Sequence, residues 1–94
     1  MLSFDEEFYL KAIENAGKDR FLLRLYSNKG NEKALFLLKN QSINSDGSSI
    51  NYYSCESDED SSIFMRTTTD IKHIMKAVSE FSENPPEGDR HTLD

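Results

Sequence analysis

The chain has 94 residues, 36% hydrophobic and 30% charged, with a net charge of −6. That length suits one small domain, and the composition is polar without reaching that of a disordered segment. A single cysteine, Cys55, excludes an intrachain disulfide, and the longest apolar run, 34–38, falls far short of the roughly 20 residues that a membrane-spanning helix needs.

The start, MLSFDEEFYL, places acids where an export signal carries Lys or Arg, so the expectation is a cytoplasmic protein. Ser3 and Glu6 have the spacing of a capping box, with Asp5, Glu6 and Glu7 in a favourable first turn. Phe4, Phe8, Tyr9, Ala12, Ile13 and Ala16 recur at helical spacing, which predicts a helix over 4–16 ended by Gly17 as a left-handed C′ residue. RFLLRLY (20–26) alternates Phe21, Leu23 and Leu25 against Leu22, Arg24 and Tyr26, the pattern of a strand buried on one face. SNKGNE supplies a turn, and KALFLLKN (33–40) returns as a hairpin partner, although its Leu and Ala content also suits a helix.

A loop follows at 41–49. INYYSCE (50–56) alternates as a strand, and SSIFMRT (61–67) reads as another, with Ile63 and Met65 on one face. From 69 or 70 the period changes: Ile71, Ile74, Met75, Val78 and Phe81 predict an amphipathic helix with Thr68 or Thr69 as its N-cap and Asp70 in its first turn. Pro85 and Pro86 end it, leaving 85–94 as a flexible polar tail after a domain over 1–84. The expected class is α+β in the order α-β-β-β-β-α, an antiparallel three- to four-stranded meander with both helices on one sheet face.

No phosphate-binding Gly-rich loop, Cys-x-x-Cys or His-Glu-x-x-His motif is present. Cys55, His73 and Asp70 are the available nucleophile, base and orienter, and their spacing carries no catalytic signature, so the reading is that of a non-enzyme without cofactors. Asp58, Asp60 and Ser62 match the first, third and fifth positions of a calcium loop, but Ile63 stands where Gly is required and Thr69 where a bidentate Glu is required.

Charge is distributed unevenly: residues 1–17 are net acidic, 18–39 net basic, and the remainder net acidic. Glu56, Asp58, Glu59 and Asp60 fall in a short run between two expected strands, and Tyr53 or its neighbour Tyr52 should face solvent. The plain reading of the run is a solvated turn that also discourages edge pairing. The functional reading is a docking surface for a protein with a basic face, with Glu56, Asp58, Glu59, Asp60 and Tyr53 as its residues. The run at 57–60 also suits an acid-directed kinase. In size, charge and element order the chain resembles phage-encoded inhibitors such as anti-CRISPR proteins, a resemblance that implies occupation of a target's nucleic-acid groove. Immunity proteins and antitoxins share the same broad character.

Nucleic-acid binding is the alternative. Arg20, Arg24, Lys29, Lys33 and Lys39 interleave with Phe21, Tyr26 and Phe36 on the expected hairpin, a combination that neutralises phosphates and stacks bases. The helix–strands–helix order is similar to that of the small RNA-binding subunits of the signal recognition particle Alu domain. That resemblance implies an RNA partner, although this chain departs from it in lacking a basic tail and a positive net charge.

Overall fold

The computed structural model describes residues 6–67, 71–84, 88 and 90–92. Four long antiparallel strands come first: β1 (Phe8–Gly17), β2 (Arg20–Ser27), β3 (Glu32–Ile43) and β4 (Ser49–Cys55). Two helices follow, α1 (Asp58–Thr67) and α2 (Ile71–Glu83), and then a three-residue strand, β5 (Arg90–Thr92). The sheet order is β4-β3-β2-β1-β5, with every pairing antiparallel. The α+β class and antiparallel sheet expected from sequence are present; the order of elements differs at both ends of the chain.

The expected N-terminal helix is strand β1, and its apolar spacing has a specific cause. Phe8 and Leu10 face the core, opposite Ser27 and Leu25, but the register then shifts between Leu10 and Ala12, so Lys11 is an extra residue. Beyond that bulge it is Ile13 that faces Leu23. The insertion breaks the period of two, so that Phe8 and Ala12, and Tyr9 and Ile13, stand four apart, the interval that a helical template accepts. Ala12, placed between Arg24 and Thr92 on neighbouring strands, is buried as well and completes the imitation. The capping-box residue Ser3 lies outside the described residues. Glu6 instead uses its carboxylate on the β2–β3 turn, accepting from Ser27 Oγ at 2.9 Å and from Asn31 Nδ2. Gly17 has φ +138° as expected of a permissive position, but it serves the β1–β2 hairpin beside Asp19, whose φ is 54°.

The strands predicted at 20–26, 33–40 and 50–56 correspond to β2, β3 and β4. For β3, pairing on both sides decides a segment whose local propensity was divided. The strand expected at 61–67 is part of α1. Ser57 caps this helix by accepting the Asp60 amide at 3.1 Å, and Asp58, Glu59 and Asp60 lie in its first turn, where the backbone dipole favours negative charge. Phe64 is consequently the buried residue, while Met65 is 63% exposed. Helix α2 matches its expected position and buries Ile74, Val78 and Phe81; its expected N-cap residues lie outside the described residues. Within the stretch expected to be a free tail, Arg90–Thr92 pairs with β1 at Glu14, Ile13 and Ala12.

One buried cluster joins Phe8, Ile13, Leu23, Leu25, Leu35 and Leu37 of the sheet to Phe64 of α1 and to Ile74, Val78 and Phe81 of α2. Phe21 bridges sheet and helix through an edge contact with Phe81, with ring centroids 6.0 Å apart. The two helices thus serve the same sheet face. The register puts Arg20, Leu22, Arg24 and Tyr26 of β2 on the opposite, open face, together with Leu38, Phe36, Ala34 and Glu32 of β3.

β3 outruns β2. Its pairing with β2 stops at Leu38, whereas its pairing with β4 continues to Ile43. Residues 39–43 and 49–53 therefore form a two-stranded ribbon that projects beyond the covered sheet. Its tip at 44–48 is closed by hydrogen bonds from the Asn44 amide to the Ser48 carbonyl and from the Gly47 amide to the Asn44 carbonyl.

Candidate functional site

The acidic run sits where β4 passes into α1. Glu56 still belongs to the sheet: its amide donates to the Phe36 carbonyl at 2.9 Å, and its carboxylate meets Arg20 Nη2 at 3.0 Å. Arg20 in turn lies over the Phe36 ring, 3.8 Å from its centroid. Beyond Ser57 the chain turns into the helix, and Asp58 and Glu59 are exposed on its first turn. The run is therefore a helix N-terminus rather than the turn between two strands expected from sequence. The calcium-loop positions Asp58, Asp60 and Ser62 lie on alternate residues of one helix, which point in different directions around its axis and cannot wrap around an ion. Among the described residues, no group of three His, Cys, Asp or Glu side chains is arranged to hold a metal.

The tyrosines divide according to strand parity. Tyr53 stands opposite Lys39 and turns toward the core, meeting Phe21 edge-on with centroids 6.3 Å apart. Tyr52, opposite Asn40, is 49% exposed on the open face. The exposed aromatic of the pair is therefore Tyr52, and Tyr53 has a packing role. Ile50 shares the face of Tyr52 and is 55% exposed; Ile43, on the other face of the ribbon, is 74% exposed. The signal for these positions was in the sequence: from Gly47 through Cys55 there is no charged residue, in a chain with 30% charged residues.

The bases are dispersed. Arg20 and Arg24 share the open face, Arg20 paired with Glu56 and Arg24 with Glu14 and Glu32, the latter at 3.1 Å. Hydrogen bonds to Glu14 and then Glu32 raise the Arg24 pKa further, which fixes its charge in place. Lys33 stands opposite Leu25 and places Nζ 4.9 Å from the centroid of the Phe8 ring, on the helix side. Lys39 also points to that side, where Nζ donates to Ser82 Oγ at 3.1 Å. Lys29 lies in the β2–β3 turn. The five residues do not form one basic stripe.

Cys55 is half-buried at the end of β4; burial first, and the charge of Asp60 second, push its thiol up, which lowers its thiolate fraction and its nucleophilicity. His73 is exposed on α2, and Asp70 lies outside the described residues. A polar depression lined by Asp19, Lys39, Asn40, Gln41 and Asn51 lies where the ribbon leaves the sheet. No described helix is long and apolar enough to cross a membrane. No family model, curated protein or solved structure matches the chain.

Proposed function

We propose that the chain is a non-enzymatic binding module that docks on a protein with a basic surface, of the kind that ordinarily holds a nucleic-acid backbone, and thereby acts as an inhibitor. The observation that carries this reading is the contrast in how the two signs of charge are held. Both arginines of the open face are engaged by carboxylates of the same chain, whereas Asp58 and Glu59 are exposed side by side at one corner of the sheet. Such a corner steers association with a positive surface and repels nucleic acid. The alternative, RNA binding on the hairpin, is disfavoured by the same contrast, because the Phe36 ring that would stack a base is covered by Arg20.

The test uses affinity capture from the native host lysate, with and without nuclease, comparing the wild-type chain with the double variant Asp58→Asn, Glu59→Gln. Neutral replacements avoid placing positive charge at the N-terminus of α1. The expected result is a partner that survives nuclease treatment and is lost with the variant while the circular dichroism melt is retained. Capture that disappears with nuclease, or that the variant leaves intact, overturns the reading.

A further inference from the structure

We infer that the outer edge of β4 accepts an extended strand from the partner, adding a sixth strand to the sheet, and that this strand carries Lys or Arg at the end lying along 56–60. The inference rests on the binding-module reading and specifies how the partner is held.

β4 is a terminal strand of the sheet. The Glu56 amide bonds inward to Phe36, and the register from Cys55 to Ser49 contains no bulge, so strand alternation directs the amides of Ile50, Tyr52 and Ser54 toward β3. The amides of Ser49, Asn51 and Tyr53 therefore face outward. The Asn44 amide, which bonds to the Ser48 carbonyl across the same ladder, fixes the same alternation from the other end, so the register gives these three amides no acceptor on β3. Sheet edges are ordinarily guarded by charge, proline, a bulge or brevity. β5 at the opposite edge has only three residues, whereas β4 has seven and carries none of these guards. Ile50 and Tyr52 also offer exposed apolar surface beside which alternate side chains of an added strand can lie.

Charge selects the occupant. Antiparallel pairing of β4 with a second copy brings residues 56–60 of one chain, which hold four acids, alongside the Asp46 end of the other. A strand from a different protein with basic residues at that end meets the acids with opposite charge. The added-strand mode also accounts for the absence of charge from Gly47 through Cys55, since a charged side chain there would be desolvated by an incoming neighbour.

The probe is a fluorescein-labelled, end-capped peptide of alternating Thr and Val with two Lys residues at one end. It is compared with a peptide carrying Glu in place of Lys and with one N-methylated at alternate backbone positions. The protein variant is Asn51→Pro, which removes an outward amide while leaving the bonds from Ile50 and Tyr52 to β3 in place. Anisotropy titration should show binding of the Lys peptide, at least tenfold weakening with the Glu peptide, and loss with N-methylation or Asn51→Pro. Amide exchange at Ser49, Asn51 and Tyr53 should slow on binding. If Lys-peptide binding survives both N-methylation and Asn51→Pro, the strand mode fails while acidic docking stands. If no peptide binds, or if the free chain sediments as a dimer with those three amides already protected, the inference is overturned. Its dependence on Asp58 and Glu59 is read separately from the capture experiment.

Discussion

β2 and β4 are both antiparallel strands of similar length, yet they occupy opposite regimes. β2 has a neighbour on each side, buries Phe21, Leu23 and Leu25 beneath the helices, and places Arg20 and Arg24 on the open face in pairs with carboxylates. β4 has one strand neighbour, no charge, and apolar residues facing solvent on its free half. A strand paired on both sides needs charge only to stay soluble, whereas an edge strand needs it to stay unpaired. The missing charge in β4 therefore leaves its edge open to pairing, whereas the abundant charge in β2 is held within the sheet.

The contrast is sharpest in stability. Leu23→Ala, at a fully buried position, should cost about 2–5 kcal/mol in denaturant unfolding through lost burial and cavity formation. Ile50→Ser, on the ribbon, should change the same measurement by about 0.5 kcal/mol or less. A comparable loss at Ile50 would show that the ribbon is part of the cooperative core and would erase the distinction. Ser57→Ala probes the junction between the regions. Loss of its bond to the Asp60 amide should cost about 1 kcal/mol, with the added amide exchange confined to the start of α1.

The smallest effect concerns pH and compares the two turns. Hydrogen bonds from Asn31 and then Ser27 hold the Glu6 carboxyl below its ordinary value of 4.5, and bonds from the Ser48 side chain and amide hold Asp46 below 3.8. A depressed folded pKa means that each contribution is complete above the ordinary value and is lost as pH falls through the depressed one. Acid titration followed by NMR should therefore loosen the amides at 27–31 and at 46–48 only below the ordinary carboxylate range. Glu6→Gln should remove the first response and leave the second. A response at 27–31 that survives Glu6→Gln would assign that turn to other groups.

Much of the sheet was legible because its alternation was regular. Phe21, Leu23 and Leu25 marked β2, and Ile74, Val78 and Phe81 marked α2, because both elements bury one clean face. Where the reading failed, a local rule met a stronger competitor. The bulge at Lys11 gives β1 a helical period, and the acids at 58–60 have the composition of a turn although Ser57 three residues before Asp60 is a capping signal. β5 is too short to carry a pattern at all. Of the candidate site, the acids could be found from composition, but the exchange of roles between Tyr52 and Tyr53 required the register against Asn40 and Lys39, which no single strand contains.

The bulge at Lys11 also determines where the chain tolerates a change in length. Inside a paired strand, deleting one residue ordinarily inverts every side chain beyond it, sending the core face outward. At Lys11 the strand already holds a surplus residue, so its removal leaves Phe8 and Leu10 on one side and Ile13 and Asn15 on the other in phase with β2. A deletion at Tyr9, which stands directly opposite Tyr26, has no such slack. Within β1, the reading frame of the fold can be shortened at Lys11 without exchanging its inside for its outside.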